Sequence, residues 1–452
     1  MTIRDNQTEA GTLLKRYAMQ KLQEWKTSPD RKPLIIEGAR QVGKTWLMEQ
    51  MGATSYRQYL TVNFDKDNTS FRSAHLQAIF DQDLRPDRII SALQLEYDVK
   101  IKAEDTLLIF DEVQEMPRAL TSLKYFSEYA PQYHIVAAGS QMGVSLHQGT
   151  SFPVGKVSFL KLHPLNFDEY LLATDRGRFV NLLDSCDWQM VETFKGSYIE
   201  ALKEYYLIGG MPEVVASFAE DRDFRRARIK QNELIEGYRK DYSKHAPALL
   251  NARLQEVLSS IPRQLAKENK KFVWGAIRHG ARSRDYELAV QWIVDSAQAF
   301  KVPNAELPYL PLETYCDQNC FKLYLHDVGL LGAMCNSDPR SILDGNSLIR
   351  EYKGTLTEQY VLQQLIYLRD NNPFMSGPAY WTGAMSEVDF IMQIGDKIIP
   401  IEVKASWNLK SKSLHAYVNK YHPERAIRAS LGGYRSYEGF TELPLYAILH
   451  LA

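Results

Sequence analysis

One octapeptide constrains this chain more than any other feature. Gly38, Ala39, Arg40, Gln41, Val42, Gly43, Lys44 and Thr45 match G-x-x-x-x-G-K-[ST] at every fixed position. The glycines let successive backbone N–H groups curl around an anion without Cβ clashes, so the pattern needs a strand before it and a helix after it. Its flanks comply: Leu34, Ile35 and Ile36 read as a short buried strand, and Lys44 to Met51 as a helix. Lys44 is then expected to reach the β- and γ-phosphates of ATP or GTP, and Thr45 to offer its hydroxyl to Mg²⁺.

The second half of such a site stands further along. Residues 106–110 form an apolar run that ends in Asp111 and Glu112. A strand buried on both faces delivers such carboxylates to the end of the sheet where open α/β folds bind ligands. Asp111 is expected to hold the Mg²⁺ shell and Glu112 to orient or deprotonate the attacking water; the alternative is that the pair caps the following helix. Residues 134–138 form another buried strand, followed by Gly139 and Ser140. Ser140 would contact the γ-phosphate or the lytic water, unless the segment is a plain turn. A further strand at 57–63 and helical patterns near 74–80 and 87–97 complete an alternation of strands and helices, which implies a mostly parallel sheet covered by helices.

The chain has 452 residues, too many for one core, and about three domains are expected. With 45% hydrophobic and 24% charged residues it is globular, and its formal net charge of -1 conceals local basic clusters. Cys186, Cys316, Cys320 and Cys335 lack the second pair or histidine that a zinc site needs, and read as reduced thiols. The N-terminus lacks the apolar run of a secretory signal, and nothing approaches the roughly 20 apolar residues of a membrane helix. No membrane partner and a cytoplasmic location are expected.

The spacing divides the chain into a nucleotide-binding part (1–164), a helical lid or linker (165–250), a third segment (251–335) and a C-terminal α/β part (336–452). The third segment reads as helices at 253–265, 274–279 and 284–299, then short strands at 300–302 and 321–325. Helices followed by a β-wing suit a winged helix. Arg263, Lys267, Lys270, Lys271, Arg278, Arg282 and Arg284 crowd it, as a nucleic-acid surface or as a solvated or protein-docking face.

In the C-terminal part, Asp389 and Glu402-Val403-Lys404 fall on two consecutive strands. Glu402 and Lys404 share a face because strand side chains alternate. With Asp389, and with Glu358 on the preceding helix, they can hold Mg²⁺ and position a water, or form an ion-pair network at a sheet end. Lys410, Lys412, Lys420, Arg425, Arg428 and Arg435 nearby suit a phosphate-bearing partner.

Taken together, the phosphate loop, residues 110–117 and 138–140, Leu162–Tyr170, Gly209-Gly210-Met211-Pro212, Phe321–Gly329 and Ile399–Lys404 resemble the large prokaryotic family of AAA-type ATPases with a fused C-terminal domain of unknown function. The resemblance spans nearly the whole chain. It implies an AAA-like core, a helical and winged-helix-like middle, and a C-terminal domain resembling PD-(D/E)XK nucleases. Members commonly carry Gly-Arg where this chain has Gly155-Lys156, and lysine cannot reproduce the planar arginine fork. That departure weakens both an arginine-finger role and the oligomeric ring such proteins often form. The leading expectation is an Mg²⁺-dependent ATPase coupled to DNA. The alternatives are a signalling or scaffolding ATPase that binds protein, and a metal-dependent nuclease.

Overall fold

The computed structural model describes residues 14–65, 71–139, 153–337, 350–384, 386–405, 411–437 and 439–451. The chain forms two compact units: one comprises residues up to His163 together with 295–297, the other the remainder.

The first unit is built on five strands: β1 (Leu34–Glu37), β2 (Gln58–Asn63), β3 (Thr106–Asp111), β4 (His134–Ala138) and β5 (Ser158–Lys161). Their order is β2-β3-β4-β1-β5, and every pairing is parallel. Helices α1 (Ala18–Thr27), α2 (Lys44–Ser55), α3 (Phe71–Gln82), α4 (Pro86–Tyr97) and α5 (Pro117–Tyr129) supply the covering layers. All six residues of β3 and all five of β4 are buried. That explains their unbroken apolar runs, because a central parallel strand has no solvent face. Phe64, Phe80 and Phe110 pack edge to face at 5.4–5.9 Å in this core. This is the parallel sheet typical of a P-loop AAA domain.

The second unit begins with a helical layer: α6 (Phe167–Ala173), α7 (Gly177–Asp184), α8 (Trp188–Thr193), α9 (Lys195–Ile208), α10 (Pro212–Asp221), α11 (Phe224–His245), α12 (Ala248–Leu265) and α13 (Ser283–Asp295). Asn166 and Glu169 start α6 as a capping box, each side chain accepting from the other's backbone N–H. The helix expected over 274–279 shrinks to a 3-10 turn at Trp274–Ala276. Gly275 inside that stretch and Gly280 just beyond it weaken longer helical propagation.

An antiparallel hairpin, β6 (Ala299–Ala305) and β7 (Cys316–Leu325), follows α13. After α14 (Val328–Met334) and α15 (Arg350–Asn371) come β8 (Met375–Thr382), β9 (Glu387–Ile394), β10 (Lys397–Val403), α16 (Lys412–Tyr421), β11 (Ala426–Ser430), β12 (Arg435–Tyr437) and β13 (Phe440–Pro444). All eight strands form one mixed sheet of order β12-β13-β11-β10-β9-β8-β6-β7.

Three segments quoted from the sequence meet at Asp327. Its carboxylate accepts from Gly210 N–H at 2.6 Å and from Leu330 N–H at 2.9 Å, where it caps α14. Gly210 O accepts from Leu165 N–H at 2.6 Å, and Leu165 O accepts from the Tyr205 hydroxyl at 2.5 Å. The Gln363 amide on α15 donates to that hydroxyl oxygen at 2.9 Å. A Cβ on Gly210 would sit 2.1 Å from Leu165 O, so only glycine allows this approach. These motifs hold the second unit's helices to one another.

Candidate functional site

The phosphate loop joins the C-terminal end of β1 to α2. Gln41 has φ 68° and Gly43 φ 90°, the left-handed turns that aim consecutive N–H groups into one hollow. A Cβ at Gly38 would lie 2.2 Å from Leu162 O, so that position too admits only glycine. Gly43 caps α2 without a side-chain partner, which leaves the first-turn N–H groups for an anion. Ala39 and Val42 are buried beneath the loop, and Arg40 opposes the Lys44 charge.

Lys44 Nζ donates to Gly38 O and Ala39 O, both at 2.8 Å, so its ammonium caps the loop from within. Burial pulls it down to about 8, against the pull of Glu112 and Asp111. The Thr45 hydroxyl donates to Asp111 Oδ2 at 2.9 Å. The last residue of β3 therefore meets the first turn of α2, as their spacing predicts. Burial, and then the like charge of Glu112, push Asp111 up to about 6. The donor set fits Mg²⁺: a hydroxyl and a carboxylate oxygen are the hard ligands this ion takes, with phosphate and water completing its shell. Among the described residues no group of three or more His, Cys, Asp or Glu side chains is arranged for a metal, and a phosphate-borne Mg²⁺ needs none.

Glu112 follows β3 in a left-handed conformation, φ 50°. Its Oε2 accepts from the Gln114 amide at 2.6 Å, and Gln114 Oε1 is buried without a partner. Asn63, paired across the sheet with Asp111, reaches Asp111 Oδ2 at 3.4 Å. Arg16, buried, donates to Val42 O at 3.1 Å and to His163 O at 2.6 Å, bracing the loop from outside. Gln114, Asn63 and Arg16 escaped sequence reasoning. Only the Gln114 spacing, two residues past Glu112, carried a readable signal. Ser140 lies outside the described residues. Lys156 precedes β5, at the opposite end of the parallel sheet from the loop, and pairs with Glu128 at 3.0 Å.

In the second unit Glu358 on α15, Asp389 on β9, and Glu402 and Lys404 around the end of β10 come within electrostatic range of one another. Lys404 Nζ lies 2.6 Å from Glu402 Oε1, and Asp389 Oδ2 accepts from Val403 N–H at 2.7 Å. Burial, then Glu358 and Glu402, hold Asp389 well above the usual carboxylate range. Three neighbours that spacing could not supply join them: Lys322 donates to Glu387 at 2.5 Å, Lys270 pairs with Glu358, and the Tyr324 hydroxyl donates to Glu358 at 3.2 Å. The nearby basic residues are partly engaged within the fold. Arg428 pairs with Glu442, Arg425 donates to Leu451 O at 2.7 Å, and Lys410 lies outside the described residues.

Residues 30–171 match the family described as AAA domain; 199–341 and 353–448 match two families described as domains of unknown function. No curated protein matches the chain. Solved structures similar to it include the Orc1 protein of Aeropyrum pernix in complex with DNA, at 14% identity and a TM-score of 0.29, over 72% of this chain and 93% of that one. Cdc6p from Pyrobaculum aerophilum matches at 11% identity and a TM-score of 0.23, over 73% and 93%. No helix among the described residues is long and apolar enough to cross a membrane.

Proposed function

We propose that the chain is an Mg²⁺-dependent ATP hydrolase whose nucleotide cycle is coupled to DNA through residues 248–325. The observation that carries the hydrolase reading is the meeting of Thr45 with Asp111 at 2.9 Å, beside Lys44 and a Glu112 held by Gln114. In this reading Lys44 exchanges its two loop carbonyls for phosphate oxygens, and the α2 N-terminus and loop N–H groups hold the remaining phosphate charge. Thr45 and Asp111 would hold Mg²⁺, which offsets charge developing on the phosphates. Glu112 orients the attacking water and accepts its proton, while Gln114 keeps that carboxylate from rotating away.

The DNA reading is supported by α12, α13 and the β6–β7 hairpin, a helix-helix-wing arrangement like that of a winged helix. Exposed Lys267, Lys271, Arg282 and Arg284 lie on it, and none is in an ion pair with a described residue. A second reading, protein docking, draws on Leu249 and Leu288 of the same helices, 66% and 64% exposed.

Turnover of ATP and GTP, with and without duplex, single-stranded and branched DNA, tests the proposal. Lys44→Ala should abolish turnover. Stimulation by DNA should vanish in Arg282→Glu/Arg284→Glu, and log affinity should fall with log salt at a slope of about -3 to -4 for four phosphate contacts. DNA binding without salt sensitivity, or none at all, sinks the coupling and leaves the docking reading.

A further inference from the structure

Glu358, Glu387, Asp389 and Glu402 reach their cluster from α15, β9 and β10. Carboxylates gathered this closely need balancing charge, and a divalent cation is one common source. Here three ammonium groups stand among them. Lys404 lies against Glu402. Lys270, from the loop after α12, pairs with Glu358, and the two side chains are only 13% and 11% exposed. Lys322, on β7, is 1% exposed; it donates to Glu387 and lies within electrostatic range of Glu358 and Asp389. Its Nζ also sits 4.7 Å from the centroid of the Tyr380 ring. Tyr324 takes the other oxygen of Glu358, and the backbone N–H of Val403 takes one of Asp389. Each of the four carboxylates thus has an oxygen held by a donor of the chain itself. Glu402 Oε2 is buried with no hydrogen-bond partner.

We infer that Lys270 and Lys322 are built-in counter-cations, filling the place a divalent ion would take, so that the cluster admits such an ion only once a lysine is withdrawn. The geometry argues against adding an ion to the cluster as it stands. A divalent cation beside three ammonium groups, Lys322 among them fully buried, meets their repulsion, and the carboxylate oxygens already held by a donor would first have to release it. Both lysines come from the helix-hairpin segment and the carboxylates from the elements that follow it. The segment's seating therefore sets whether the acidic cluster is open to a metal. This inference is independent of the nucleotide reading.

Mn²⁺ binding to the full-length, nucleotide-free protein tests it, read from the free-Mn²⁺ paramagnetic resonance signal. Thr45→Val is included throughout, so that the phosphate-loop hydroxyl cannot contribute. The Thr45→Val parent should show no saturable site tighter than about 1 mM, a range that weak oxygen-ligand sites reach. Adding Lys270→Met should create one site at least about tenfold tighter, since it removes a repelling charge at contact distance. Adding Glu402→Gln should abolish the new site. Mn²⁺ should raise the melting temperature of the Lys270→Met protein and leave the parent's unchanged. If Lys270→Met does not fold, as judged by circular dichroism, Lys270→Gln keeps a hydrogen-bond donor without the charge and carries the same expectation. One Mn²⁺ per chain in the parent, lost on Glu402→Gln, would overturn the inference. So would a lysine-substituted protein that folds and gains no site.

Discussion

Asp111 and Glu112 are neighbours in sequence with the same charge, and the fold gives them different surroundings. Asp111 ends β3 facing the Thr45 hydroxyl, whereas Glu112 turns left-handed and is caught by Gln114. On the proposed mechanism, Gln114→Leu should leave KM for MgATP within about twofold and lower kcat about ten- to a hundredfold, because it frees the carboxylate assigned there as base without touching the phosphate contacts. Equal changes in both constants would mean that Gln114 acts through the loop instead. Asp111 also predicts a pH dependence. Its carboxyl is raised to about 6, so below that pH it is protonated and poor at holding Mg²⁺. Affinity for a fluorescent MgATP analogue should fall as pH drops through 6. Glu112→Gln removes a like charge and should move the inflection lower; an unmoved inflection would mean that burial alone sets it. The meeting of Lys44, Thr45, Asp111 and Glu112 was legible because each sits at a fixed offset from a strand end. Arg16 and Asn63 were not, since their partners lie 26 and 48 residues away. Lys270 read as part of a basic outer face and Lys322 not at all, yet both turn into the carboxylate cluster, because their partners Glu358 and Glu387 lie 88 and 65 residues away.

Between elements, the second unit depends on contacts that sequence patterns name without explaining. The glycine pair at 209–210 reads as a helix break, yet Gly210 is where α10 begins its approach to Leu165 and Asp327. Gly210→Ala should destabilise this unit by about 2–3 kcal/mol, the range of backbone and core overpacking, visible as a lower urea midpoint with an unchanged slope. Asn166→Ala should cost about 1 kcal/mol through the lost cap on α6. The capping box could be read directly as N-x-x-E. The Asp327 junction could not, because its partners are drawn from four separate stretches of chain. Strand positions after residue 370 were readable from alternation and turn residues. Which of those strands pair, and that β6 and β7 share their sheet, lies in long-range register that alternation does not encode.

For the molecule as a whole, the phosphate loop and the carboxylate cluster fall in different compact units, each with its own sheet. MgATP at about a hundred times its Kd should stabilise the first unit by about 2.7 kcal/mol through linkage. Calorimetry should show that shift in the transition of the first unit, and Lys44→Ala should remove it. The same shift in Lys44→Ala would place the nucleotide elsewhere.

The eight-stranded sheet is joined between β6 and β8 by a short parallel pairing, Asn304 with Tyr380. A sequence boundary near residue 336 cuts the chain there without cutting the sheet. A fragment starting at that point would bare the flank of β8, whose residues 378–381 are buried. Exposed flanks of this kind recruit other chains. The β6–β7 hairpin is therefore also an edge guard for the strands that follow it. Shuffling the C-terminal segment onto another protein would have to carry the hairpin along, or find a substitute strand to shield it.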